Sequence, residues 1–449
     1  MNLYSWQEFY RWLDVQQENS ENEKKITGVA VDSREVKPGN VFFALSGQKT
    51  NGHCYLEDVA KKGALAAVVE KSYQGPSFGL RLIRVNHPLE ALQAAAKKRL
   101  QETSVKVIAV TGSLGKTSTK EFLYALLKES YKVTASSGNK NSQIGLALVC
   151  LNELQGDEEY LVLEMGMSMK GHIEKLVQIA PPQIALITYV ALVHAENFAS
   201  IDEIAKAKAE IFSSPKTELA FINYDSDCRD VLISSVRSSY KTYSLQKDSK
   251  ADFYLQRSES QLVLFEGRQQ IELPFIKLPA EHMYMNLLAA LAVASSCGVS
   301  KEAMKEALLK LEIPKARLQE VSKKGVLFIN DAYNAAEVSM KGALLALKAR
   351  ADGKRKVAIL GHMRELGTFS AACHKRVGEC ALESVDRLIC LGEDCKELVA
   401  VWESKKRQVN WFLDFDEMMH FIKEEVQEGD LVLVKGARSL QLEKVIESF

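Results

Sequence analysis

The chain has 449 residues, of which 47% are hydrophobic and 26% are charged, and its 58 basic residues balance 58 acidic ones. This length predicts about two to four domains, and zero net charge excludes a general attraction to nucleic acid or to an anionic membrane. The sequence contains no run of about 18 apolar residues, so no membrane span is predicted. The first residues do not resemble a signal peptide. We therefore expect a cytoplasmic protein with no nucleic-acid partner, and we expect it to be a monomer.

The first segment, residues 1–85, combines short apolar runs with one helical stretch. The stretch YLEDVAKKG predicts a helix that ends at Gly63. Strands are predicted at VFFAL (41–45), AAVVE (66–70) and LIRV (82–85). The segment therefore predicts a small mixed α/β domain.

The middle segment, residues 86–314, alternates continuous apolar runs with helical patterns, which is typical of a parallel sheet covered on both faces. Strands are predicted at 105–110, 160–164, 184–190 and 219–224, and helices at 116–129, 171–179 and 201–212. Residues 241–279 predict antiparallel strands, and a helix over 285–296 closes the segment.

The last segment, residues 315–449, repeats the alternation of strand and helix and predicts a Rossmann-like α/β domain. Its strands are predicted at 326–331, 356–361, 387–392, 410–413 and 430–436. The whole chain is therefore assigned to the α/β class with three domains.

A glycine-rich loop joins a strand to a helix in VIAVTGSLGKTSTKEFL, residues 107–123. Backbone N–H groups in such a loop can surround a phosphate, Lys116 adds positive charge, and the Thr117 hydroxyl can bind Mg²⁺. Val110 stands where the usual phosphate-loop pattern has its first glycine, so a turn without a nucleotide is the alternative. The predicted ATP-binding residues of the loop are Thr111, Gly112, Ser113, Gly115, Lys116, Thr117 and Ser118.

Three further side chains follow the loop in an order that suggests a catalytic centre. Glu164 ends the apolar run YLVLE, His194 follows ITYVALV, and Lys208 lies in IAKAKAEIF. Each alone has an ordinary structural explanation, but ligands in open α/β sheets bind at the carboxyl ends of strands. Kinases, GTPases and motors also carry phosphate loops, so the loop alone does not define the reaction.

These stretches, together with others along the chain, resemble the Mur ligase family. The resemblance rests on TGSLGKTSTKE (111–121), GNKNSQIG (138–145), LEMGMSMKGHI (163–173), IAKAKAEIF (204–212), DAYNAAEVSM (331–340), GHMRELG (361–367), VLVKGARS (432–439) and VDSREVKPGNVFFALSGQKTNGH (31–53). It implies a UDP-sugar-binding domain at 1–85, a phosphate-loop ATPase domain at 86–314, and a Rossmann-like domain at 315–449 that closes over the site.

The resemblance also implies a reaction. AKAKAEIF and DAYNA favour the branch of the family that joins D-alanyl-D-alanine to UDP-N-acetylmuramoyl-tripeptide in peptidoglycan synthesis. The family first phosphorylates the tripeptide carboxylate with ATP, and the amine of the dipeptide then displaces phosphate. The carboxylate needs this activation because it is otherwise unreactive toward amines, and the meeting of two anions needs cations to offset their charge.

The site residues carried over from the family are expectations for this chain. The catalytic set is Lys116, Glu164, His194 and Lys208, and the ligands for two Mg²⁺ ions are Thr117, Glu164, His194 and Lys208. Lys208 corresponds to a lysine that is carbamylated in relatives. The resemblance further assigns Asn286 to adenine, Arg317 and Asp331 to phosphate and ribose, Ser33 and Arg34 to the uridine nucleotide, and Asn139 and Asn141 to the muramoyl-peptide end.

Several positions depart from the family pattern, and two alternatives stay open. The departures are Leu114, His172, Tyr189, Met283, Ala336-Glu337, His362 and Ala437. The first alternative is another Mur-type or folylpolyglutamate-type amino acid ligase, although the uridine-like first domain argues against the folate enzyme. The second is a nucleotide-dependent regulatory protein that has lost catalysis, which the departures would explain. An active ligase is favoured by six positions that keep the family pattern: Lys116, Thr117, Glu164, His194, Lys208 and Asp331.

Overall fold

The computed structural model describes residues 3–16, 24–47, 50–247, 249–314, 316–350 and 353–449. These residues form three separate sheets, one within each of the predicted segments. The exact domain boundaries stay a prediction, because the helix that follows the first sheet packs against both of the first two segments. No helix in the described ranges is both long and apolar enough to cross a membrane.

The first sheet is wholly parallel, with its described strands in the order β1-β2-β3-β4. The strands are β1 (Gly28–Ala30), β2 (Asn40–Phe43), β3 (Ala66–Glu70) and β4 (Arg81–Val85), and the helices are α1 (Trp6–Leu13), α2 (Leu56–Lys61) and α3 (Pro88–Gln101). The α2 helix confirms the prediction before Gly63. Helices α1 and α3 were not predicted, and α1 buries five of its eight side chains, because its apolar residues lie on one face.

The second sheet has the order β13-β12-β11-β10-β9-β8-β5-β7-β6. Its strands are β5 (Lys106–Thr111), β6 (Val133–Ala135), β7 (Tyr160–Glu164), β8 (Ile184–Ile187), β9 (Leu219–Asn223), β10 (Ser239–Ser244), β11 (Phe253–Arg257), β12 (Gln261–Glu266) and β13 (Gln269–Pro274). The helices are α4 (Lys116–Leu127), α5 (Gln143–Asn152), α6 (His172–Ile179), α7 (Ile201–Ala209), α8 (Arg229–Ser235), α9 (Glu281–Ser296) and α10 (Lys301–Leu309). Strand β5, which leads into the phosphate loop, therefore lies between β8 and β7, and all three strands run parallel.

Three predictions for this sheet were partly wrong. The strand predicted at 184–190 ends at Ile187, because the next residues turn to bond the phosphate loop. The region 241–279 is antiparallel only from β11 to β13, since β10 pairs in parallel with both of its neighbours. The helix predicted at 285–296 begins at Glu281, which places Asn286 inside its second turn, and α10 rather than this helix closes the segment.

The third sheet has the order β14-β15-β19-β16-β17-β18, and only β14 runs antiparallel to its neighbour. Its strands are β14 (Gln319–Lys323), β15 (Val326–Asn330), β16 (Lys356–Gly361), β17 (Arg387–Leu391), β18 (Val409–Phe412) and β19 (Leu431–Lys435). The helices are α11 (Glu337–Ala349), α12 (Ser370–Ser384), α13 (Lys396–Ser404), α14 (Phe415–Glu425) and α15 (Glu443–Ser448). Helices cover both faces, as in Rossmann-like domains.

Candidate active site

The glycine-rich loop leaves β5 and enters α4 through two glycines that no other residue could replace without strain. Gly112 has φ 151°, and a Cβ there would lie 1.9 Å from the Thr188 hydroxyl. Gly115 caps α4 with φ 83°, and a Cβ there would lie 2.2 Å from the Asn286 side-chain oxygen. Any side chain at position 115 would therefore collide with Asn286, so the position requires glycine. Asn286 lies directly against the loop, which is consistent with its predicted place beside the nucleotide.

The segment after β8 holds the loop in place through backbone and hydroxyl hydrogen bonds. The Ser113 N–H donates to the Tyr189 carbonyl (2.6 Å), and its hydroxyl donates to the Ala191 carbonyl (2.9 Å). Leu114 and Tyr189, two of the departures from the family pattern, lie opposite each other in a backbone bridge. The two changes therefore fall at one contact.

Lys116 begins α4 and folds over the loop. Its ammonium group donates to the carbonyls of Gly112 (2.8 Å) and Ser113 (3.3 Å). Burial lowers the pKa of Lys116 despite the opposing effect of Glu164, and the Arg317 guanidinium adds to the lowering. Positive groups are thus concentrated at a helix N-terminus, where an anion binds favourably.

Thr117 and Glu164 form the polar centre of the site. The Thr117 hydroxyl donates to one Glu164 oxygen (2.8 Å), and the Asn141 amide donates to the other (2.7 Å). Glu164 is only 2% exposed at the carboxyl end of β7. Thr117 and Glu164, both predicted as metal ligands, are therefore in direct contact, and Asn141, predicted for the muramoyl-peptide end, contacts the same carboxylate.

Arg317 reaches this centre from the C-terminal segment. Its guanidinium donates to the Thr117 hydroxyl (3.2 Å) and lies 4.4 Å from the centroid of the Tyr333 ring. The nearby Asp331 accepts from the buried Lys435 ammonium (2.6 Å) and from the Leu318 N–H (3.2 Å). Sequence reasoning missed Tyr333 and Lys435, although Lys435 lies in the motif VLVKGARS and its position at the end of a strand was a usable signal.

Lys208 lies on α7 and is 2% exposed. Burial holds its pKa well below the ordinary lysine value, and the charge of Lys116 contributes to this lowering. No hydrogen bond or ion pair joins its amine to another of the residues that the structure describes. A buried lysine without an acidic partner is expensive as a cation, so its neutral form is favoured.

His194 lies in the turn after β8, with a left-handed φ of 56°, and it contacts the C-terminal segment. Its Nδ1 contacts the Glu365 carboxylate, and the Glu196 N–H donates to the Glu365 carbonyl (3.1 Å). Burial lowers the pKa of His194 against the opposing effect of Glu365, and the charges of Lys116 and Lys208 also lower it. His194, Lys116 and Lys208 are therefore close enough to interact electrostatically. Glu365 was not predicted from the sequence.

The donor set at the centre suits a hard divalent cation. Mg²⁺ is held in phosphate-transfer sites by one or two carboxylates together with substrate phosphates, and Thr117 and Glu164 offer such oxygens. The described part of the chain has no group of three or more His, Cys, Asp or Glu side chains arranged to hold a metal. A cation here would therefore depend on the Thr117 hydroxyl, the Glu164 carboxylate and oxygens of the nucleotide.

The predicted uridine residues lie apart from this centre in the contacts that the structure describes. Arg34 is paired with its neighbour Asp32, whose carboxylate also accepts from the Arg34 N–H (2.9 Å), and the Arg34 hydrogen bond lowers the pKa of Asp32 to about 2. The Ser33 carbonyl accepts from Lys62 (2.8 Å).

Two other predicted site residues lie outside these contacts. Asn139 is exposed at the tip of the loop that carries Asn141, and Ser118 is buried on α4. The roles of all these residues stay predictions.

Together the loop, the strand-end carboxylate and the buried lysine define a nucleoside-triphosphate-dependent enzyme site at the carboxyl edge of a parallel sheet. Family profiles match the chain almost throughout: "Mur ligase family, catalytic domain" at residues 25–100, "Mur ligase middle domain" at 110–294 and "Mur ligase, glutamate ligase domain" at 316–438. The chain belongs to the Mur ligase family.

Individual relatives agree with this assignment. The chain is 33% identical over 455 residues to the UDP-N-acetylmuramoyl-tripeptide–D-alanyl-D-alanine ligase of Rickettsia prowazekii, with 97% of each chain covered. It is similar to a crystal structure of MurF from Acinetobacter baumannii, with a TM-score of 0.86, 25% identity and coverage of 100% and 99%. It is also similar to MurF from Thermotoga maritima in complex with ADP, with a TM-score of 0.78, 29% identity and coverage of 94% and 96%. The predicted family and three-domain α/β fold are confirmed.

Proposed function

We propose that this chain joins D-alanyl-D-alanine to UDP-N-acetylmuramoyl-tripeptide in an ATP-driven step of peptidoglycan precursor synthesis. The names of its relatives support this substrate pair. The structural observation that carries the proposal is the Thr117 hydroxyl, which is bonded to Glu164 of the central domain and to Arg317 of the C-terminal domain. Two domains thus converge on the residue predicted to lie at the ATP phosphates.

The reaction has two displacements that share one phosphate. A tripeptide carboxylate oxygen attacks the γ-phosphorus of ATP, and the bond to the β-phosphate oxygen breaks, which releases ADP and leaves an acyl phosphate. The dipeptide amine then attacks the acyl carbon, and the tetrahedral intermediate expels phosphate as the amine loses its proton. Lys116, Arg317 and the N–H groups at the start of α4 supply the positive field that offsets the anions.

Mg²⁺ would be held by Thr117 and Glu164, and a second ion by His194 and a carbamylated Lys208. When bound, Mg²⁺ supplies charge that offsets the phosphate oxygens. The buried amine of Lys208 suits carbamylation, because only a neutral amine adds to carbon dioxide. The lowered pKa of Lys208 supports that protonation state, and the carbamate anion would relieve the repulsion between Lys208 and Lys116.

We also propose that the enzyme acts in the cytoplasm as a monomer. The residues predicted for ATP and metal binding are brought together within one chain, so a second copy is not needed to complete this part of the site. ATP as the energy source is consistent with this compartment.

The decisive experiment is a mass-spectrometric product assay with ATP, UDP-N-acetylmuramoyl-tripeptide and either D-alanyl-D-alanine or single amino acids. We expect a new amide product and stoichiometric phosphate only with the dipeptide. Phosphate release with a single amino acid, but not with the dipeptide, would assign the chain to another branch of the family. Lys116→Ala is the control that should abolish turnover in every arm.

The same assay separates the regulatory alternative. If the unmutated chain binds ATP but forms no product and releases no phosphate with all substrates present, the chain has lost catalysis. The departures at Leu114 and Tyr189 would then be the first positions to revert to the family pattern, because they contact each other beside the phosphate loop.

A further inference from the structure

Lys120 is a fully buried cation on α4 that the proposed reaction does not use. It follows Lys116 by one helical turn, so the two ammonium groups leave the same side of the helix. Its side chain is 0% exposed. Burying an ammonium group is costly unless acceptors surround it, and here three of them do. The Lys120 ammonium donates to the Ser136 carbonyl and to the Gly138 carbonyl, the latter at 3.2 Å. It also lies 2.8 Å from the Glu121 carboxylate.

The two carbonyls belong to residues 136–142, which we call the asparagine loop because it carries Asn139 and Asn141. The loop begins where β6 ends and runs to the start of α5. On its outer side, Glu153 accepts from the Ser137 N–H (3.1 Å) and from its hydroxyl (2.7 Å). Lys120 is thus the inner attachment of a segment with few apolar contacts of its own.

The asparagine loop directly holds the acidic centre of the site. The Asn141 amide donates to Glu164 (2.7 Å), while the Gly166 N–H donates to the Asn141 carbonyl (2.9 Å). The Ser136 hydroxyl accepts from the Glu164 N–H (3.2 Å). Any displacement of the loop would therefore move the carboxylate that Thr117 contacts.

We propose that Lys120 is a positioning residue that fixes the asparagine loop relative to the phosphate loop. One helix then sets both halves of the reaction geometry, with Lys116 and Thr117 at the nucleotide and Lys120 beneath the side that faces the muramoyl-peptide. This inference rests on the proposed function for its substrate assignment. The contacts of Lys120 with two loop carbonyls, in addition to its ion pair with Glu121 on the same helix, are what distinguish it from a purely structural buried lysine.

The test compares Lys120→Met, which keeps the volume and removes the charge, with Lys120→Gln, which keeps N–H donors. Lys128→Met, an exposed change at the end of the same helix, is the matched control. Three measurements are needed: hydrogen–deuterium exchange of peptides over 136–142, ADP binding by calorimetry without Mg²⁺, and steady-state kinetics with each substrate varied. We expect Lys120→Met to raise the KM for the UDP-linked substrate about tenfold or more, with the KM for ATP within about threefold of the unmutated value.

In Lys120→Met, the backbone amides of the asparagine loop should exchange faster than in the unmutated chain, while the amides of α4 stay protected. The exchange rate of the loop in Lys120→Gln should lie between the rates in Lys120→Met and in the unmutated chain. The proposal is overturned if a folded Lys120→Met shows unmutated loop exchange and unmutated KM for the UDP-linked substrate. It is also overturned if both Lys120 variants fail to fold, since Lys120 would then belong to the core. Exchange and ADP binding do not require product, so a failure of the proposed function, seen as no product from the unmutated enzyme, is recognised separately.

Discussion

The interface between the N-terminal and central domains, which we call the apolar seam, differs in composition from the interface between the central and C-terminal domains, which we call the polar seam. Between the N-terminal and central domains, α1 and β2 share one continuous hydrophobic cluster with α3, β5, β7 and α5. Polar contacts within this seam are buried or partly buried: the Tyr4 hydroxyl donates to the Leu151 carbonyl (2.7 Å), and the Asn152 amide pairs with both backbone groups of Val29 (2.8 and 2.9 Å). Separating these domains would expose a core.

Between the central and C-terminal domains, the contacts are mainly polar and are made largely by candidate site residues. Arg317 meets Thr117, Glu365 meets His194 and Glu196, and the cores of the two domains are distinct clusters. Leu192 and Phe369 are partly buried against both clusters and supply apolar contact. Such polar contacts can be exchanged for water at little cost.

The difference indicates a division of labour. We expect the N-terminal and central domains to behave as one body, because removing apolar surface from water stabilises their contact at about 25 cal/mol per Å². The C-terminal domain is attached through groups that ATP would compete for, so we expect it to move when nucleotide binds. Substitutions in the apolar seam should therefore affect stability, and those in the polar seam should affect activity.

The largest effect is expected at the buried Lys208, whose charge acts on His194 of the polar seam. We expect Lys208→Ala to lower kcat about 10³-fold, because a preorganised charge at the reacting phosphates is lost. A short carboxylic acid or bicarbonate should restore part of the activity if a carbamate is the working group. The measurement is phosphate release with and without the supplement, alongside thermal unfolding to show that the fold is kept.

Lys206→Ala is the control for this change, because Lys206 is exposed on the same helix. It should leave kcat unchanged. Full activity of Lys208→Ala without any supplement would rule out the carbamate.

In the apolar seam, Leu92→Ala should act in the opposite way. Leu92 is 0% exposed on α3 within the shared cluster, and truncating a buried leucine typically costs about 2–5 kcal/mol. We expect a lower free energy of unfolding in a urea titration, with unchanged kcat at a temperature where the variant is folded. Leu309→Ala, at a leucine that is 75% exposed, should change stability little.

A single cooperative transition for the N-terminal and central domains would support one body. If Leu92→Ala instead lowered kcat strongly while stability stayed the same, the contrast between the two seams would be wrong.

Within the C-terminal domain, the departure at Glu337 has a visible structural role. Burial alone would raise the pKa of the Glu337 carboxyl. Hydrogen bonds from Arg376 and Lys341 outweigh burial and lower that pKa to about 2. A carboxylate with a lowered pKa stabilises the fold above its unfolded pKa of about 4.3, and that stability is lost as pH falls from there toward 2. We expect Glu337→Gln to remove about 1.5–3 kcal/mol at pH 7 and to flatten the loss of stability in acid.

The measurement is urea unfolding at several pH values between 7 and about 3. Glu379→Gln, an exposed change on α12, is the control. An unmutated acid profile in Glu337→Gln would show that the pair contributes nothing to folding.

Much of the fold was predictable because its signal is local. The parallel strands β5, β7 and β9 are continuous apolar runs, and the phosphate loop lies within one stretch of sequence. The polar edge strand β14 was missed because it buries almost nothing and has no apolar pattern. Strand β10 was given the wrong direction, since the pairing partner is not encoded in its own residues.

The candidate site could be proposed from the sequence as a set of residues but not as a set of contacts. Glu164 and Lys208 were proposed from their motifs, whereas the partnership of Arg317 with Thr117 joins residues 200 positions apart. Lys120 was passed over because a lysine on a helix usually faces solvent, and only its burial shows otherwise. Glu365 was missed because its contact with His194 depends on how two domains meet.

Glu365→Gln is the smallest of the changes, and it tests the polar seam most directly. The variant keeps the size of the side chain and removes the charge that faces His194, so the C-terminal domain should spend more time away from the central domain. We expect a rise of about two- to fivefold in the KM for ATP, a change of less than about 0.5 kcal/mol in the free energy of unfolding, and a larger radius of gyration by small-angle scattering without ligands. Saturating ATP should restore the compact profile, because the contact between Arg317 and Thr117 is kept and both residues are proposed to hold the ATP phosphates. A scattering profile that matches the unmutated chain with and without ATP would show that the contact between Glu365 and His194 does not set the position of the domain, and movement would then have to be governed by the apolar pair Leu192 and Phe369.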